Sequence, residues 1–128
     1  MSLTILNLCK SYPGASGPIE VLRNVSLELE KGQSLAITGP SGSGKSTLLH
    51  CIGTLTPPSS GSIRIEDRDP FELPEPELAL FRNEVVGFVF QDHHLLPQYS
   101  VLENVLMPAL AFPSSDQNGE QRARELLE

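Results

Sequence analysis

The sequence predicts an α/β fold. Three observations carry that prediction: two short segments alternate apolar and polar residues, two others are nearly continuous apolar runs, and a glycine-rich loop separates one such run from a helical pattern. Residues 24–30 place Val25, Leu27 and Leu29 between Ser26, Glu28 and Glu30, as a strand with one wet face requires. Residues 62–66 repeat the alternation around Ile63 and Ile65. Residues 35–38 and 85–90 are too continuously apolar for that pattern and suit strands covered on both faces of a parallel sheet. Two kinds of strand predict two kinds of sheet.

Helical patterns lie between these runs. Leu48, Leu49, Ile52 and Leu55 follow the glycine-rich loop, and residues 78–82 follow Pro74 and Pro76, which a first helical turn tolerates. Ser100 with Glu103 three residues on is a capping-box pattern. Val101, Val105 and Ala109 continue at helical spacing, and Pro108 is expected to bend or end that helix. A loop over residues 113–119 leads to a last helix over residues 120–128. That helix has no cap or terminator, so a chain cut inside an element is expected.

With 128 residues the chain is one domain or part of one. Apolar residues at 39% and charged residues at 20% suffice for a packed core and exclude a disordered tail. A net charge of −7 excludes a broad basic surface, so no nucleic-acid partner is expected. No apolar run reaches the roughly 20 residues needed to span a bilayer, and the start lacks a signal-type pattern, so a soluble intracellular chain is expected. Cys9 and Cys51 form no ligand spacing and read as reduced packing residues.

The strongest chemistry is Gly39-Pro40-Ser41-Gly42-Ser43-Gly44-Lys45-Ser46-Thr47, a full match to G-x-x-x-x-G-K-[ST] after an apolar run and before a helix. Random placement of this composition gives roughly 0.003 such matches, so a chance glycine and serine loop is a poor explanation. Glycines let backbone N–H groups turn inward, and a helix N-terminus adds the positive end of a dipole. Lys45 is expected to reach the β- and γ-phosphates of a nucleotide. The Ser46 hydroxyl is expected on Mg²⁺ and Thr47 on a phosphate oxygen.

Several further segments, in order, resemble the ATP-binding subunit of ABC transporters over nearly the whole chain. They are Ser11-Tyr12, residues 21–29, the phosphate loop, Pro57-Pro58-Ser59-Ser60-Gly61 and Gly87-Phe88-Val89-Phe90-Gln91. Gln91-Asp92-His93-His94-Leu95-Leu96-Pro97, with Glu103-Asn104-Val105 and Met107-Pro108, is most similar to the lipoprotein-releasing and macrolide-export branch.

The resemblance implies an ABC-type P-loop core with an antiparallel β subdomain, incomplete at its C-terminus, residues 1–128 being the N-terminal portion of the ATP-binding domain. It implies an ATPase that exports or releases a lipoprotein or hydrophobic substrate. Transmembrane permease subunits would be its partners, a second copy would complete a homodimer, and the inner face of the cell membrane would be its place. Tyr12 then stacks on adenine, where its residues alone favour a surface tyrosine in the Pro13-Gly14 turn. Gln91 becomes the Q-loop amide, near Mg²⁺ and the attacking water, against the plain reading of a polar residue at a strand end.

Adjacent His93 and His94, without a Cys or carboxylate cluster, read as a solvated or partner-contacting loop and not as metal ligands. His50, on the helix after the phosphate loop, reads as packing or surface. A competing local pattern makes residues 85–90 followed by Asp92 an acidic strand end, as in a small P-loop kinase; Gln91 and its flanks fit the Q-loop better. The family pattern continues with an LSGGQ-type signature, an acidic Walker B strand, a D-loop and a switch His. None occurs in residues 1–128, so this chain by itself is expected to bind nucleotide weakly or not at all, to turn none over, and to expose the apolar runs 35–37 and 85–90. Asp67-Arg68-Asp69 stands where the family usually has a glycine, which puts the geometry of that turn in question.

Overall fold

The structure, a computed structural model, describes residues 2–111 and 118–128. The chain divides into two compact units, Met1–Phe88 and Val89–Glu128.

The first unit is organised by a three-stranded antiparallel sheet. β1 (Leu3–Tyr12) is central, with β2 (Ile19–Leu29) on one side and β3 (Ser60–Ile65) on the other. Leu3 and Ile5 alternate inward, then a bulge with Asn7 at φ 48° resets the register so that Leu8 also faces the core. Val25, Leu27 and Leu29 of β2 pack on that core while Ser26 and Glu28 stay exposed, as their alternation predicts. Ile63 and Ile65 of β3 are fully covered.

α1 (Lys45–Ile52) closes the apolar face through Leu48 and Cys51. Burial pushes the Cys51 thiol above its ordinary pKa, with the Lys10 charge pulling weakly the other way. α1 ends at Gly53, where a Cβ would overlap the ring of Phe88. Thr54 follows at φ 61°, almost fully buried, and Arg82 holds it: Nε donates to Thr54 Oγ1 at 3.0 Å and the guanidinium to Thr54 O at 2.9 Å. Arg82 belongs to α2 (Glu75–Val85), whose Leu78 is buried and whose Phe81 and Val85 pack on the core.

Two expectations are corrected. The runs 35–38 and 85–90 are not strands here: Val85 closes α2, and neither run pairs with any strand among the described residues. A parallel strand exists only through hydrogen-bonded neighbours, and an apolar run without them stays uncovered. Leu35 is accordingly 51% exposed and Val89 fully so, while Ile37 alone of its run packs on the core. The turn after β3 closes without glycine. Glu66 and Asp67 both adopt positive φ, 51° and 64°, and Ile65 and Arg68 exchange both backbone hydrogen bonds across the turn. Asp69 then accepts from Phe71 N at 2.9 Å, capping a single 3-10 turn.

In the second unit, α3 (Val101–Ala111) opens on the expected capping box. It runs through Pro108 for three more residues, so Pro108 does not end it. α4 (Gly119–Leu127) begins one residue earlier than its pattern predicts. The expected loop 113–119 falls mostly outside the described residues.

Candidate functional site

The phosphate-loop residues form a tight turn from the exposed run 35–38 into α1. Gly39, Gly42 and Gly44 have φ of 151°, 78° and 91°, values that side-chain-bearing residues rarely adopt. Gly44 is constrained twice, because a Cβ there would stand 3.0 Å from Val21 O and 3.1 Å from Leu22 Cδ2. The helix start is thereby pressed onto β2 with no side chain between.

Inside the loop, Ser43 N donates to Pro40 O at 3.3 Å, and Leu48 N to Gly44 O at 2.9 Å closes the first helical turn. The N–H groups of Lys45, Ser46 and Thr47 have no intrahelical acceptor. No acidic residue lies in that first turn, and no side chain caps it. Lys45 curls back over the loop, its Nζ 3.0 Å from Gly39 O, 2.7 Å from Pro40 O and 3.5 Å from Ser43 Oγ. Free donors, a dipole end and an ammonium group thus lie within one short loop and helix start, the groups an anionic ligand with several oxygens requires. Pro40, Ser41 and Ser46 are exposed at its rim, and Thr47 is half-buried.

Tyr12 is the last residue of β1, opposite Ile19. It shares β2 with the loop, since Leu22, which touches Gly44, is paired with Lys10 two residues before Tyr12. Gln91 lies in the other unit, exposed in the segment that precedes α3. Near it, Phe90 and His94 meet edge to face with centroids 5.0 Å apart, and His94 sits at φ 48°. His50 and His93 are both exposed. Among the described residues no group of three or more His, Cys, Asp or Glu side chains is placed to hold a metal ion.

Sequence reasoning found the Ser100 and Glu103 box but missed Asn104, which holds much of the segment after Gln91. The Asn104 side chain accepts from Leu96 N at 2.8 Å and shares its amide hydrogens among the carbonyls of Leu96, Tyr99 and Ser100. Beside it, Ser100 N and Oγ each donate to Glu103 Oε2 at 2.7 Å, and Glu103 N returns a bond to Ser100 Oγ at 3.3 Å. The Ser100 hydroxyl first, and its backbone N–H second, hold the Glu103 carboxyl below its ordinary pKa. A run Pro97 to Ser100 followed by an Asn four residues on is the signal that was available; Asn fits both loop and helix start, and periodicity gives no weight to it.

This loop, helix and sheet define an α/β P-loop domain. The ABC transporter family model matches residues 22–128, and the chain belongs to that family. Among its relatives, the lipoprotein-releasing system ATP-binding protein LolD 1 of Rhodopirellula baltica is 56% identical over 98% of this chain and 55% of its own length. The lipoprotein-releasing system ATP-binding protein LolD of Myxococcus xanthus is 47% identical over 98% of this chain and 56% of its own. Among solved structures, the ATP-binding cassette MJ0796, dimeric in a post-hydrolysis state with ADP and Pi, superposes with a TM-score of 0.87 at 37% identity. That match covers 98% of this chain and 54% of the cassette. The chain spans about half the length of the relatives it matches.

Proposed function

We propose that these residues form the nucleotide-binding half of the ATP-binding subunit of an ABC transporter, which couples ATP binding and hydrolysis to release of a lipoprotein or export of a hydrophobic substrate. The observation that carries the reading is the phosphate loop itself: glycines at φ values only they adopt readily, Gly44 packed bare against β2, and the α1 N-terminus left open to an anion. The names of the LolD relatives support lipoprotein release, and the MJ0796 cassette, solved with ADP and Pi, supports an adenine nucleotide as the ligand.

The residues fit MgATP in chemistry. The N–H groups at the start of α1 would take the phosphate oxygens, and Lys45 would exchange the Gly39 and Pro40 carbonyls for the β- and γ-phosphates. Ser46 would hold Mg²⁺ by its hydroxyl and Thr47 would bond a phosphate oxygen; a role for Gln91 toward the ion rests on the likeness of its flanks to the Q-loop alone. Bound MgATP would supply the phosphoryl group and the charge that Lys45 offsets. Tyr12 would stack on adenine at the end of β1.

Residues 1–128 include no signature, no acidic strand end of the Walker B kind and no switch His, so hydrolysis by these residues alone is no part of the proposal. In the whole protein a second copy would face this site and permease subunits would hold it at the inner face of the membrane. No helix among the described residues is long and apolar enough to cross a membrane.

The test is MgATP titration of the encoded protein and of Lys45→Ala. The variant should lose at least about a hundredfold in affinity, as removal of a charge-assisted contact to polyphosphate requires. Unchanged affinity would overturn the assignment of the loop.

A further inference from the structure

We infer that Lys10 is a positioning residue for the Tyr12 ring, closing one face of it so that the other is held ready for a purine base; the inference rests on the adenine role proposed for Tyr12. Tyr12 ends β1 at the mouth of a hairpin and is 38% exposed. Its hydroxyl has no hydrogen-bond partner among the described residues, so its polar end does not fix the ring. Lys10, two residues earlier on the same side of the pleat, supplies what is missing. Its Nζ lies 5.1 Å from the ring centroid, inside the range of cation–π attraction, and donates to Pro57 O at 2.6 Å.

An ammonium group on a surface strand ordinarily swings in water. This one is tethered at a fixed point, because the chain after Pro57 is itself fastened to β1. Ser59 N donates to Cys9 O at 2.9 Å, and Ser11 N to Ser59 Oγ at 3.0 Å. The same segment descends from α1, whose N-terminus is the phosphate loop. No carboxylate forms an ion pair with Lys10 among the described residues, so the Pro57 carbonyl and the ring are its partners. A ring with a cation on one face offers only the opposite face to a flat ligand. It also loses the freedom to turn away, so less order must be imposed when the base arrives.

The experiment compares MgATP with magnesium tripolyphosphate, a probe that has the phosphates and no base, by titration calorimetry on the encoded protein. Lys10→Met keeps the stem and removes the charge, and it should weaken MgATP about threefold to tenfold while leaving tripolyphosphate unchanged. Lys10→Arg should restore MgATP to within about twofold, since guanidinium also sits over aromatic faces. In a Tyr12→Ala background Lys10→Met should cost nothing further.

In residues 1–128, which hold two tyrosines and no tryptophan, Tyr99→Phe leaves Tyr12 as the one tyrosine whose emission can report on the base. Its quenching by ATP should be displaced to higher concentration in Lys10→Met. Equal weakening of both probes, or of neither, overturns the role of Lys10. If Tyr12→Ala leaves the ratio of the two affinities unchanged, or the parent protein binds neither probe, the adenine reading itself falls and this inference with it. A ratio lowered by Tyr12→Ala and untouched by Lys10→Met removes Lys10 alone.

Discussion

The phosphate loop and the Gln91 segment are both stretches without regular secondary structure that lead into a helix, yet they are held by different means. The loop before α1 is fixed by what is absent from it: at Gly44 no side chain separates the backbone from Val21 and Leu22. Behind it stands a core of fully covered residues, Ile5, Leu8 and Ile63 among them. The segment before α3 is exposed from Val89 to Ser100 and is held by side-chain hydrogen bonds, four from Asn104 and three in the Ser100 and Glu103 box. A cradle for phosphate must keep its shape to about half an ångström before the ligand arrives, and packing does that. Polar ties exposed to water are individually worth little and open more readily than packed ones.

The comparison breaks hardest at Gly44. Gly44→Ala places a Cβ 3.0 Å from the Val21 carbonyl and forces a left-handed φ of 91° on a residue that disfavours it. The two effects together should cost about 1–3 kcal/mol and weaken nucleotide binding with them. Denaturant melts of the parent and variant check the first, and ATP titration the second. An Ala variant of parental stability and affinity would mean that the loop is as loosely held as its counterpart.

The sequence made the first region legible and the second only in part, for a related reason. Patterns of glycine, lysine and apolar alternation report backbone conformation and burial, so Gly39 to Thr47 and the inward residues of β2 and β3 could be placed directly. The runs 35–38 and 85–90 could not, because an apolar run states that a strand wants covering and not that a neighbour is present to cover it. Glu66 and Asp67 were illegible in another way. Their positive φ values belong to a two-residue turn closed by the Ile65–Arg68 bridge, where glycine would be the local preference. Asn104 and the Arg82 clamp on Thr54 depend on single side chains finding particular backbone groups, nearby for Asn104 and distant in sequence for Arg82, a property with no period.

Asn104 gives the second break in the comparison. Asn104→Asp keeps the shape, abolishes donation to three carbonyls and sets a negative charge against them. About 1–2 kcal/mol should be lost, and only locally. Amide exchange should quicken at Leu96, Tyr99 and Ser100 while the strands of the first unit keep their protection. Uniform loss of protection throughout the chain would show that the segment is tied to the global fold after all.

The smallest effect is the most specific to the polar ties. Glu103 has its carboxyl pKa held below the ordinary glutamate range, chiefly by the Ser100 hydroxyl and then by the Ser100 backbone N–H. A depressed carboxylate contributes its stability in full above the unfolded-state pKa and loses it as pH falls through the lower folded-state value. The start of α3 should therefore hold at neutral pH and fray on acidification below about 4.3, where the unfolded glutamate begins to take its proton. Carboxyl titration by NMR checks the cause: in Ser100→Ala the Glu103 midpoint should rise toward the ordinary glutamate range, because the hydroxyl that favours the charged form is gone. The amide of Glu103 should lose protection in the same variant even at neutral pH, since Ser100 Oγ is its acceptor at 3.3 Å. Gly44 should be indifferent to both changes, for packing against a carbonyl and a methyl group has no proton to lose. A midpoint that does not move in Ser100→Ala would assign the shift to the Ser100 backbone N–H, which alanine keeps, and the hydroxyl would drop out of the account of how this segment is held.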